Sequence, residues 1–169
     1  MMGTELRFTA DERRYVFALC RRILRDDDAA DEVAQDALLR AFRQRAQFRG
    51  DAHPRTWLFR IATTTAFGYL RGQRRYRARV GRADDATMAA VASDRADPET
   101  ALGQAEVAAL VQAGLRGLDR QSAAILIGRA EDRTEPELAA ALGMSVAAVK
   151  ARAHRGRGVL RQRLHALAA

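Results

Sequence analysis

A helix-turn-helix pattern in residues 134–150 constrains the fold more than any other part of the chain. Leu138 and Leu142 recur at the spacing of one helix face, and Gly143 permits a turn after them. Ser145 is a favourable N-cap for a second helix, which continues into a basic stripe. Such a helix is suited to enter the groove of duplex DNA. The residues predicted to face DNA are Ser145, Lys150, Arg152, His154 and Arg155.

The charge balance also predicts a polyanionic partner. The 169 residues carry a formal net charge of +8, which favours nucleic acid or an anionic membrane surface. Lys150 is the only lysine, so nearly all of the basic residues are arginines. Arginine binds phosphate and guanine edges with two parallel hydrogen bonds, although a GC-rich coding bias explains the preference equally well.

Several classes of protein and site are disfavoured by the composition. Cys20 is the only cysteine, which excludes a disulfide framework and a thiolate metal cluster. The three histidines are far apart and lack the spacing of metal ligands. No nucleophile or phosphate-loop constellation is recognisable, so we expect no enzyme activity, no metal and no cofactor. No apolar run approaches membrane-spanning length, which predicts a soluble cytoplasmic protein without membrane insertion.

Helix signals begin near the N-terminus and recur along the chain. Thr9 and Glu12 form a capping box, an aspartate run at 26–28 can cap a second helix, and Pro54 suits the first turn of a third. Apolar residues predicted to be buried in these helices include Tyr15, Val16, Leu19, Cys20, Ile23, Leu24, Val33, Ala37, Leu38, Ala41, Phe42, Trp57, Leu58, Ile61, Ala62 and Leu70.

The composition divides the chain into two helical lobes. Residues 81–97 lack apolar periodicity and are predicted to be a flexible linker. Further helices are expected from the N-cap and proline at 97–98, and over Arg120 to Ala130. The predicted fold is therefore all-α, with one small helical domain at 1–80, the linker at 81–97 and a second helical domain at 98–169.

Six acidic residues stand together in this otherwise basic chain. They are Asp26, Asp27, Asp28, Asp31, Glu32 and Asp36. Several share one surface of the second helix with Gln35, because residues three and four apart are neighbours on a helix. A solvated face with acids at a helix N-terminus is one interpretation, and a docking face for a basic protein partner is another. Acid–base catalysis is disfavoured, since no histidine and no apolar pocket accompany the acids.

The segment FRGDAHPRTW, from Phe48 to Trp57, combines aromatic and arginine side chains around a short loop. Such planes stack on unpaired bases, and the hydroxyls of the threonines at 63–65 can reach base edges. Trp57 is also at core spacing, so a purely structural role remains open for it. Six arginines follow in residues 71–82, which suits binding to phosphates and is also compatible with the start of a disordered basic linker.

In this order, the blocks ADEVAQDALLRAF, FRGDAHPRTWLFRIA and ELAAALGMSVAAVKARAHR resemble the extracytoplasmic function (ECF) group of bacterial sigma factors. The resemblance covers most of the chain outside the linker. It implies a sigma region 2-like domain followed by a region 4-like helix-turn-helix domain. It also implies that the chain binds core RNA polymerase, directs it to specific promoters and assists promoter opening.

The resemblance assigns residues to three partners. Asp31, Glu32, Gln35, Asp36 and Arg40 would bind the coiled coil of the largest polymerase subunit. Arg49, Gly50, Asp51, Arg60, Thr64, Arg71, Arg74 and Arg75 would bind the −10 element. Ser145, Lys150, Arg152, His154 and Arg155 would bind the −35 element. The last domain would also meet the flap of the second-largest subunit, and an anti-sigma factor is a further expected partner. The chain would associate with the nucleoid in holoenzyme, or be held at the membrane by the anti-sigma factor.

Two positions depart from the pattern, and two other functions stay open. Thr64 replaces a common asparagine, which removes a bidentate base contact, and Gly68 replaces a polar residue in a helix. These changes leave room for a sigma-like decoy that binds an anti-sigma factor. A stand-alone helix-turn-helix regulator is the other alternative, although no sustained heptads predict the dimer that such regulators usually form.

Overall fold

A computed structural model describes residues 9–50, 52–80 and 102–168, without the side chains of residues 102–108, 167 and 168. The described residues form seven α-helices and one 3₁₀ turn, with no strand among them. The helices are α1 (Ala10–Leu24), α2 (Asp27–Gln44), α3 (Pro54–Val80), α4 (Leu102–Arg116), α5 (Arg120–Ala130), α6 (Glu135–Leu142) and α7 (Val146–Ala168). The 3₁₀ turn covers Arg45–Gln47.

Local capping signals set most of the helix ends. Thr9 and Glu12 form the predicted capping box of α1, and the Asp26 side chain accepts a hydrogen bond from the Ala29 amide at the start of α2. Helix α3 begins at Pro54, as predicted, because a proline needs no hydrogen-bond partner for its nitrogen in the first turn. The predicted linker at 81–97 and the proposed cap at 97–98 lie outside the described residues.

Helices α1, α2 and α3 pack on one another through small and branched apolar side chains. The buried residues of α2 are almost all alanines, which lets this helix approach its neighbours closely. Val16, Leu19, Cys20 and Ile23 of α1 are at most 1% exposed, as their helical spacing predicts. Trp57 and Leu70 are only partly buried against this core.

Helices α4, α5, α6 and α7 form the second group. Thr134 caps α6 with Glu137 as the reciprocal partner, and Gly143 ends α6 in the left-handed conformation at φ 64°. Val149 and Ala153 of α7 are fully buried. The α7 helix continues through Gly156 and Gly158, so neither glycine ends it. A Cβ at Gly156 would lie 3.5 Å from Leu126 and Ser122, which is ordinary packing distance.

The two groups of helices share one continuous apolar core. Phe59 of α3 is 2% exposed and lies beside Gly128 of α5 and Leu138 of α6. A Cβ built on Gly128 would lie 2.4 Å from a methyl of Leu138 and 2.9 Å from the ring of Phe59. The missing side chain at Gly128 is therefore what allows α5 to approach α3 and α6 at this junction.

Polar contacts surround the same junction. The Tyr15 hydroxyl donates to the Glu131 carboxylate at 2.6 Å, and the Arg133 guanidinium donates to the Thr56 hydroxyl. The Arg133 guanidinium also lies 5.7 Å from the centroid of the Phe59 ring. Burial, followed by the hydrogen bond to Glu131, raises the pKa of Tyr15 far above its usual value.

Two predictions of burial are wrong, and the arginine run that was compatible with a disordered linker is helical as far as it is described. Phe42 was expected in the core but is 52% exposed, because the alanines at 37 and 41 already occupy the buried face of α2. Val146 was expected to face the core of the helix-turn-helix but is 37% exposed at the first position of α7. The arginine run after residue 70 extends α3 as helix as far as Val80.

We predict that Gly128→Ala lowers the free energy of unfolding by about 1–3 kcal/mol, because the added methyl overpacks the junction. Gly158→Ala is the matched control on an open surface, where no atom lies within 4 Å of the added Cβ. That change should raise stability by about 0.5–1 kcal/mol, since alanine favours helix over glycine. Urea unfolding monitored by circular dichroism measures the free energy of unfolding of both variants. If Gly128→Ala and Gly158→Ala changed it by the same amount in the same direction, the packing at Gly128 would be contradicted.

Candidate functional site

Helix α2 presents an acidic face to solvent. We define it by Asp28, Asp31, Glu32 and Gln35, all exposed and three or four residues apart. Gln35 donates a side-chain hydrogen bond of 2.8 Å to Asp31, which orders the middle of the face. The exposed position of the acids follows from the alanines that turn the opposite side of α2 toward the core.

Two apolar side chains continue the acidic face toward the end of α2. Leu39 is 54% exposed and Phe42 is 52% exposed, and the Arg45 guanidinium lies 4.0 Å from the centroid of the Phe42 ring. The sequence reasoning missed Leu39 as a surface residue. Its spacing of four from Gln35 and seven from Glu32 is the signal that places it on this face.

Arg40 and Asp36 lie at the edge of the acidic face. They form an ion pair of 2.9 Å, with about half of each side chain exposed. Arg40 also lines the pocket next to α2, together with Arg49 and Arg60. The structure therefore places Arg40 with the predicted −10 residues, while Asp31, Glu32 and Gln35 stay together on the acidic face.

A pocket of about 590 Å³ opens between the end of α2, the loop after it and α3. Its lining combines two aromatic rings, arginines and polar side chains. The residues are Arg40, Gln44, Gln47, Phe48, Arg49, Ala52, Trp57, Arg60, Ile61, Thr64, Thr65 and Ala140. The rings of Phe48 and Trp57 lie 5.6 Å apart at a tilt of 55°. Aromatic faces can hold a planar base by stacking, and guanidinium groups beside them can bind the phosphate attached to it.

The loop that forms the pocket is shaped by its own residues. Gly50 adopts φ 81°, which glycine reaches without a steric penalty. His53 lies just before α3, and its ring Nδ1 accepts a hydrogen bond of 3.2 Å from the Arg55 amide in the first turn of the helix. Asp51, the remaining predicted loop residue, lies outside the described residues.

The other predicted −10 residues form a stripe along α3. Arg60, Thr64, Arg71, Arg74 and Arg75 are all exposed. At 100° per residue they fall within a sector of about 100°, so they share one face of the helix. Gly68 lies beside this stripe, and a Cβ there would touch only the end of the Arg71 side chain, at 3.9 Å. The stripe therefore begins at the pocket and continues along the basic end of α3.

The second helix of the helix-turn-helix presents its residues unequally. The Ser145 hydroxyl accepts a hydrogen bond of 3.2 Å from the Ala148 amide, which confirms it as the cap of α7. Lys150, His154 and Arg155 are exposed. Ala147, Ala151 and Gly158 lie on the side opposite the buried Val149, and their small size leaves the helix backbone accessible.

Arg152 differs from the other basic residues of α7. It is half-buried and its guanidinium lies 3.4 Å from the Asp119 carboxylate. Asp119 also caps α5, since it accepts hydrogen bonds from the amides of Gln121 and Ser122 and from the Ser122 hydroxyl. Partial burial acts to raise the pKa of Asp119, but the bonds from Ser122 and the charge of Arg152 outweigh it and lower the pKa.

Comparison with known proteins identifies the class. Residues 9–76 match Sigma-70 region 2 and residues 108–160 match Sigma-70, region 4, together more than half of the chain. The chain is 29% identical to the ECF RNA polymerase sigma factor SigW of Bacillus subtilis over 90% of this chain and 84% of SigW. It is 33% identical to ECF sigma factor SigG of Mycobacterium tuberculosis over 90% of this chain but only 46% of SigG.

Two solved structures share the fold. RpoE from Bartonella quintana, in complex with the anti-sigma factor NepR, superposes with a TM-score of 0.70 at 20% identity, covering 91% of this chain and 92% of that one. CnrH, in complex with the cytosolic domain of CnrY, gives 0.53 at 26% identity, covering 93% of this chain and 84% of that one. The chain belongs to the ECF group of RNA polymerase sigma factors, and thus to the specificity subunits that direct the polymerase to promoters.

The described residues contain neither a membrane-spanning helix nor a metal-binding cluster. None of the helices there is both long enough and apolar enough to cross a membrane. In the same part of the chain, no group of three or more His, Cys, Asp or Glu side chains is arranged to hold a metal ion.

We predict that Asp119→Ala lowers the free energy of unfolding by about 0.5–2 kcal/mol, because α5 loses its N-cap. Asp119→Asn keeps the cap and loses only the charge pair with Arg152, so its effect should stay below about 1 kcal/mol. Urea unfolding of the two variants separates the contributions. A loss with asparagine as large as that with alanine would contradict capping as the main role.

The depressed pKa of Asp119 adds a dependence on pH. Its charged form is stabilised in the folded chain, so this contribution is complete above the unfolded pKa, near pH 4, and is lost as the pH falls through the lower folded value. Asp119→Asn should therefore lose less stability than the unmodified chain as the pH falls below about 4. If the free energy of unfolding of the two chains fell equally with pH, protonation of Asp119 would not contribute to acid unfolding.

Proposed function

We propose that three separate surfaces divide the work of this sigma factor: the acidic face of α2 binds core polymerase, the pocket and stripe of α3 bind the opened −10 strand, and α7 binds the −35 duplex. The observation that carries the proposal is the pocket, in which the tilted rings of Phe48 and Trp57 lie beside Arg49 and Arg60. This combination suits an unpaired base and its phosphate. It does not suit duplex DNA, because the faces of paired bases are covered by their neighbours in the stack.

The acidic face is the docking surface for the polymerase. Its carboxylates complement a basic helical partner, and the resemblance gives that partner as the coiled coil of the largest subunit. Leu39 and Phe42 extend the face with apolar surface, which supplies binding energy that exposed ion pairs lack. We therefore place Leu39 and Phe42 in the docking surface beside Asp31, Glu32 and Gln35, with Asp36 and Arg40 at its edge.

Asp31→Lys should weaken the affinity for core polymerase by about tenfold, because it places a positive charge against a basic partner. Asp11→Lys is the matched control, since Asp11 is also an exposed helical aspartate with one polar partner. Biolayer interferometry with immobilised core polymerase measures both. Equal affinities of the two variants would remove the acidic face from the polymerase interface.

The pocket and the stripe serve the opened strand. A base that stacks on Phe48 and Trp57 would leave its phosphate among arginines, and the following nucleotides could continue along α3 past Gly68, where the backbone is accessible. Thr64 is exposed at the rim of the pocket, so its hydroxyl can reach a base edge in place of the family's usual asparagine amide.

Arg60→Gln in holoenzyme should weaken binding of a labelled pool of single-stranded DNA and reduce the salt slope by about 0.7, the value for one lost phosphate contact on a single strand. Arg13→Gln is the control, because it removes the same charge from an exposed site on α1. Fluorescence anisotropy at several salt concentrations gives the slope. A slope that changes equally in both variants would mean that Arg60 acts only through net charge.

The α7 helix reads the −35 duplex with unequal contributions. Lys150, His154 and Arg155 are exposed, and Ser145 is exposed at the N-terminal end where it can reach a phosphate. Arg152 must leave Asp119, or keep that contact and bind the backbone beside the groove. We therefore assign base reading first to Arg155 and Lys150, and a supporting role to Arg152.

Arg155→Ala should weaken holoenzyme binding to duplex promoter DNA by about tenfold, and Arg152→Ala by less, since a guanidinium that reads a base contributes more than one held by a carboxylate. Arg161→Ala, a change at an exposed site further along α7, is the control. Electrophoretic mobility shifts with promoter fragments rank the three variants. A larger loss for Arg152→Ala would reverse the assignment.

We further infer an anti-sigma factor as a regulatory partner, because RpoE from Bartonella quintana was solved in complex with the anti-sigma factor NepR. An anti-sigma factor would bind the acidic face or α7 of the free chain. A chain that acts on core polymerase and promoter DNA would lie in the cytoplasm and on the nucleoid. In this proposal the polymerase carries out the chemical reaction and the sigma factor carries out none. Retention at the membrane would follow if the anti-sigma factor is a membrane protein.

A further inference from the structure

The start of α5 lies directly against α7, the helix proposed to bind the −35 duplex. Gly156 of α7 is buried, and a Cβ built on it would lie 3.5 Å from the Cβ of Ser122 on α5. Ser122 is itself 5% exposed. Asp119, the residue before α5, accordingly lies beside Arg152, which precedes Gly156 by one turn of α7.

The Asp119 carboxylate is held in one orientation by the helix that it caps. Its Oδ1 accepts hydrogen bonds from the amides of Gln121 at 3.1 Å and Ser122 at 3.0 Å. Its Oδ2 accepts a hydrogen bond of 2.6 Å from the Ser122 hydroxyl. Because all of these donors belong to the first turn of one helix, the short Asp119 side chain is a fixed negative charge that can orient a second group.

Arg152 is the group that this carboxylate orients. Its Nη1 lies 3.4 Å from Oδ1 of Asp119, and 36% of the arginine side chain is exposed. A guanidinium carries five N–H donors in a planar fork, so one contact leaves the others available. Within the part of the chain that the structure describes, Arg152 makes no other side-chain hydrogen bond. Asp119 therefore holds one nitrogen of the group while the remaining nitrogens can donate to a ligand.

The position of Arg152 on α7 suits a phosphate better than a base. Ala151 lies opposite the buried Val149, on the side of α7 that would enter the major groove. At 100° per residue, Arg155 lies about 40° from Ala151 and Arg152 about 100°. A major groove about 12 Å wide holds a helix of about the same diameter, so side chains on the flanks of the helix meet the DNA backbone. Arg152 is thus placed to meet a phosphate, and Arg155 lies nearer the base edges.

A guanidinium that is oriented before DNA arrives binds a phosphate more tightly. An unrestrained arginine loses its rotamer freedom on binding, which weakens the complex by about two- to tenfold per side chain. A carboxylate that already holds the group removes part of this loss. The negative charge of Asp119 also repels the phosphate, but the phosphate lies beyond the guanidinium and is farther from the carboxylate than the arginine is. The attraction therefore exceeds the repulsion.

We propose that Asp119 is a positioning residue for the −35 duplex: it holds Arg152 on the flank of α7, where the guanidinium binds a backbone phosphate without leaving the carboxylate. The proposal rests on the proposed function of α7 and extends it to a residue outside the helix-turn-helix. Because phosphate contacts fix the register of a protein on duplex DNA, Asp119 would act on promoter binding through Arg152 and without touching DNA itself.

The test is a double-mutant cycle on holoenzyme made with the full chain, using Asp119→Asn, Arg152→Ala and the two together. Asparagine keeps the N-cap of α5 and loses the charge that holds Arg152. Glu135→Gln is the matched control, because it neutralises an acid whose charge acts on Lys150 and whose ion pair is with Arg129. Fluorescence anisotropy measures binding to a labelled duplex promoter fragment from which the unmodified holoenzyme initiates. Circular dichroism checks that helix content is kept.

Arg152→Ala should weaken binding about fivefold when residue 119 is aspartate, and less than about twofold when it is asparagine. Asp119→Asn alone should weaken binding about two- to threefold, although it removes a negative charge near the DNA. Glu135→Gln should not weaken binding, since it removes only repulsion. A role of Asp119 in stability alone would not couple to Arg152 and would leave the fivefold effect unchanged.

Equal effects of Arg152→Ala in the two backgrounds would overturn the positioning role. Tighter binding by Asp119→Asn would also overturn it, because the carboxylate would then withhold the arginine from DNA. If either result came with a loss of affinity in Arg155→Ala, the assignment of α7 to the −35 duplex would stand without the role of Asp119. Unchanged affinity in both Arg152→Ala and Arg155→Ala would contradict the assignment of α7 as well.

Discussion

The packing of Phe59 against Gly128 and Leu138 is the contact on which the rest of the structure depends. Burying a side chain of this size contributes about 1.5–3 kcal/mol, but only where the opposing surface leaves room for it. Glycine at 128 leaves that room. Through this contact the apolar face of α3 belongs to the cores of both groups of helices, so the position of the helix-turn-helix is set by the same helix that carries the basic stripe.

Helix α3 therefore has two opposite tasks. One side is apolar and buried, with Leu58, Phe59 and Ala62 in the core. The other side carries Arg60, Thr64 and the later arginines, whose mutual repulsion is tolerable only at an exposed surface. Because the helix is rigid, the pocket at its start and the basic stripe along it keep a fixed register, which the proposed binding of a continuous strand requires.

Much of the fold and part of the site could be predicted from the sequence. The capping boxes at Thr9 and Thr134, Pro54 at the start of α3 and the turn at Gly143 are local signals, and local signals fix helix ends. The surface position of Phe42 could not be predicted from the sequence, because it depends on how closely the alanines of α2 approach the other helices.

The long-range contacts were equally out of reach of sequence reasoning. Asp119 and Arg152 are 33 positions apart, and nothing in the spacing of an arginine reveals a carboxylate at the start of another helix. That Arg40 also lines the pocket was out of reach for a similar reason: helical spacing predicts its neighbour Asp36 but not the loop beside it.

Run-off transcription with purified core polymerase on a library of genomic promoter fragments tests the central claim most directly. A chain that positions α7 on duplex and captures an opened strand in the pocket should give transcripts from a small set of fragments, sharing sequence at −35 and −10. Core polymerase alone should give none of these transcripts. Stable binding of the free chain to the same fragments, without any polymerase-dependent initiation, would contradict a sigma factor and favour a stand-alone regulator.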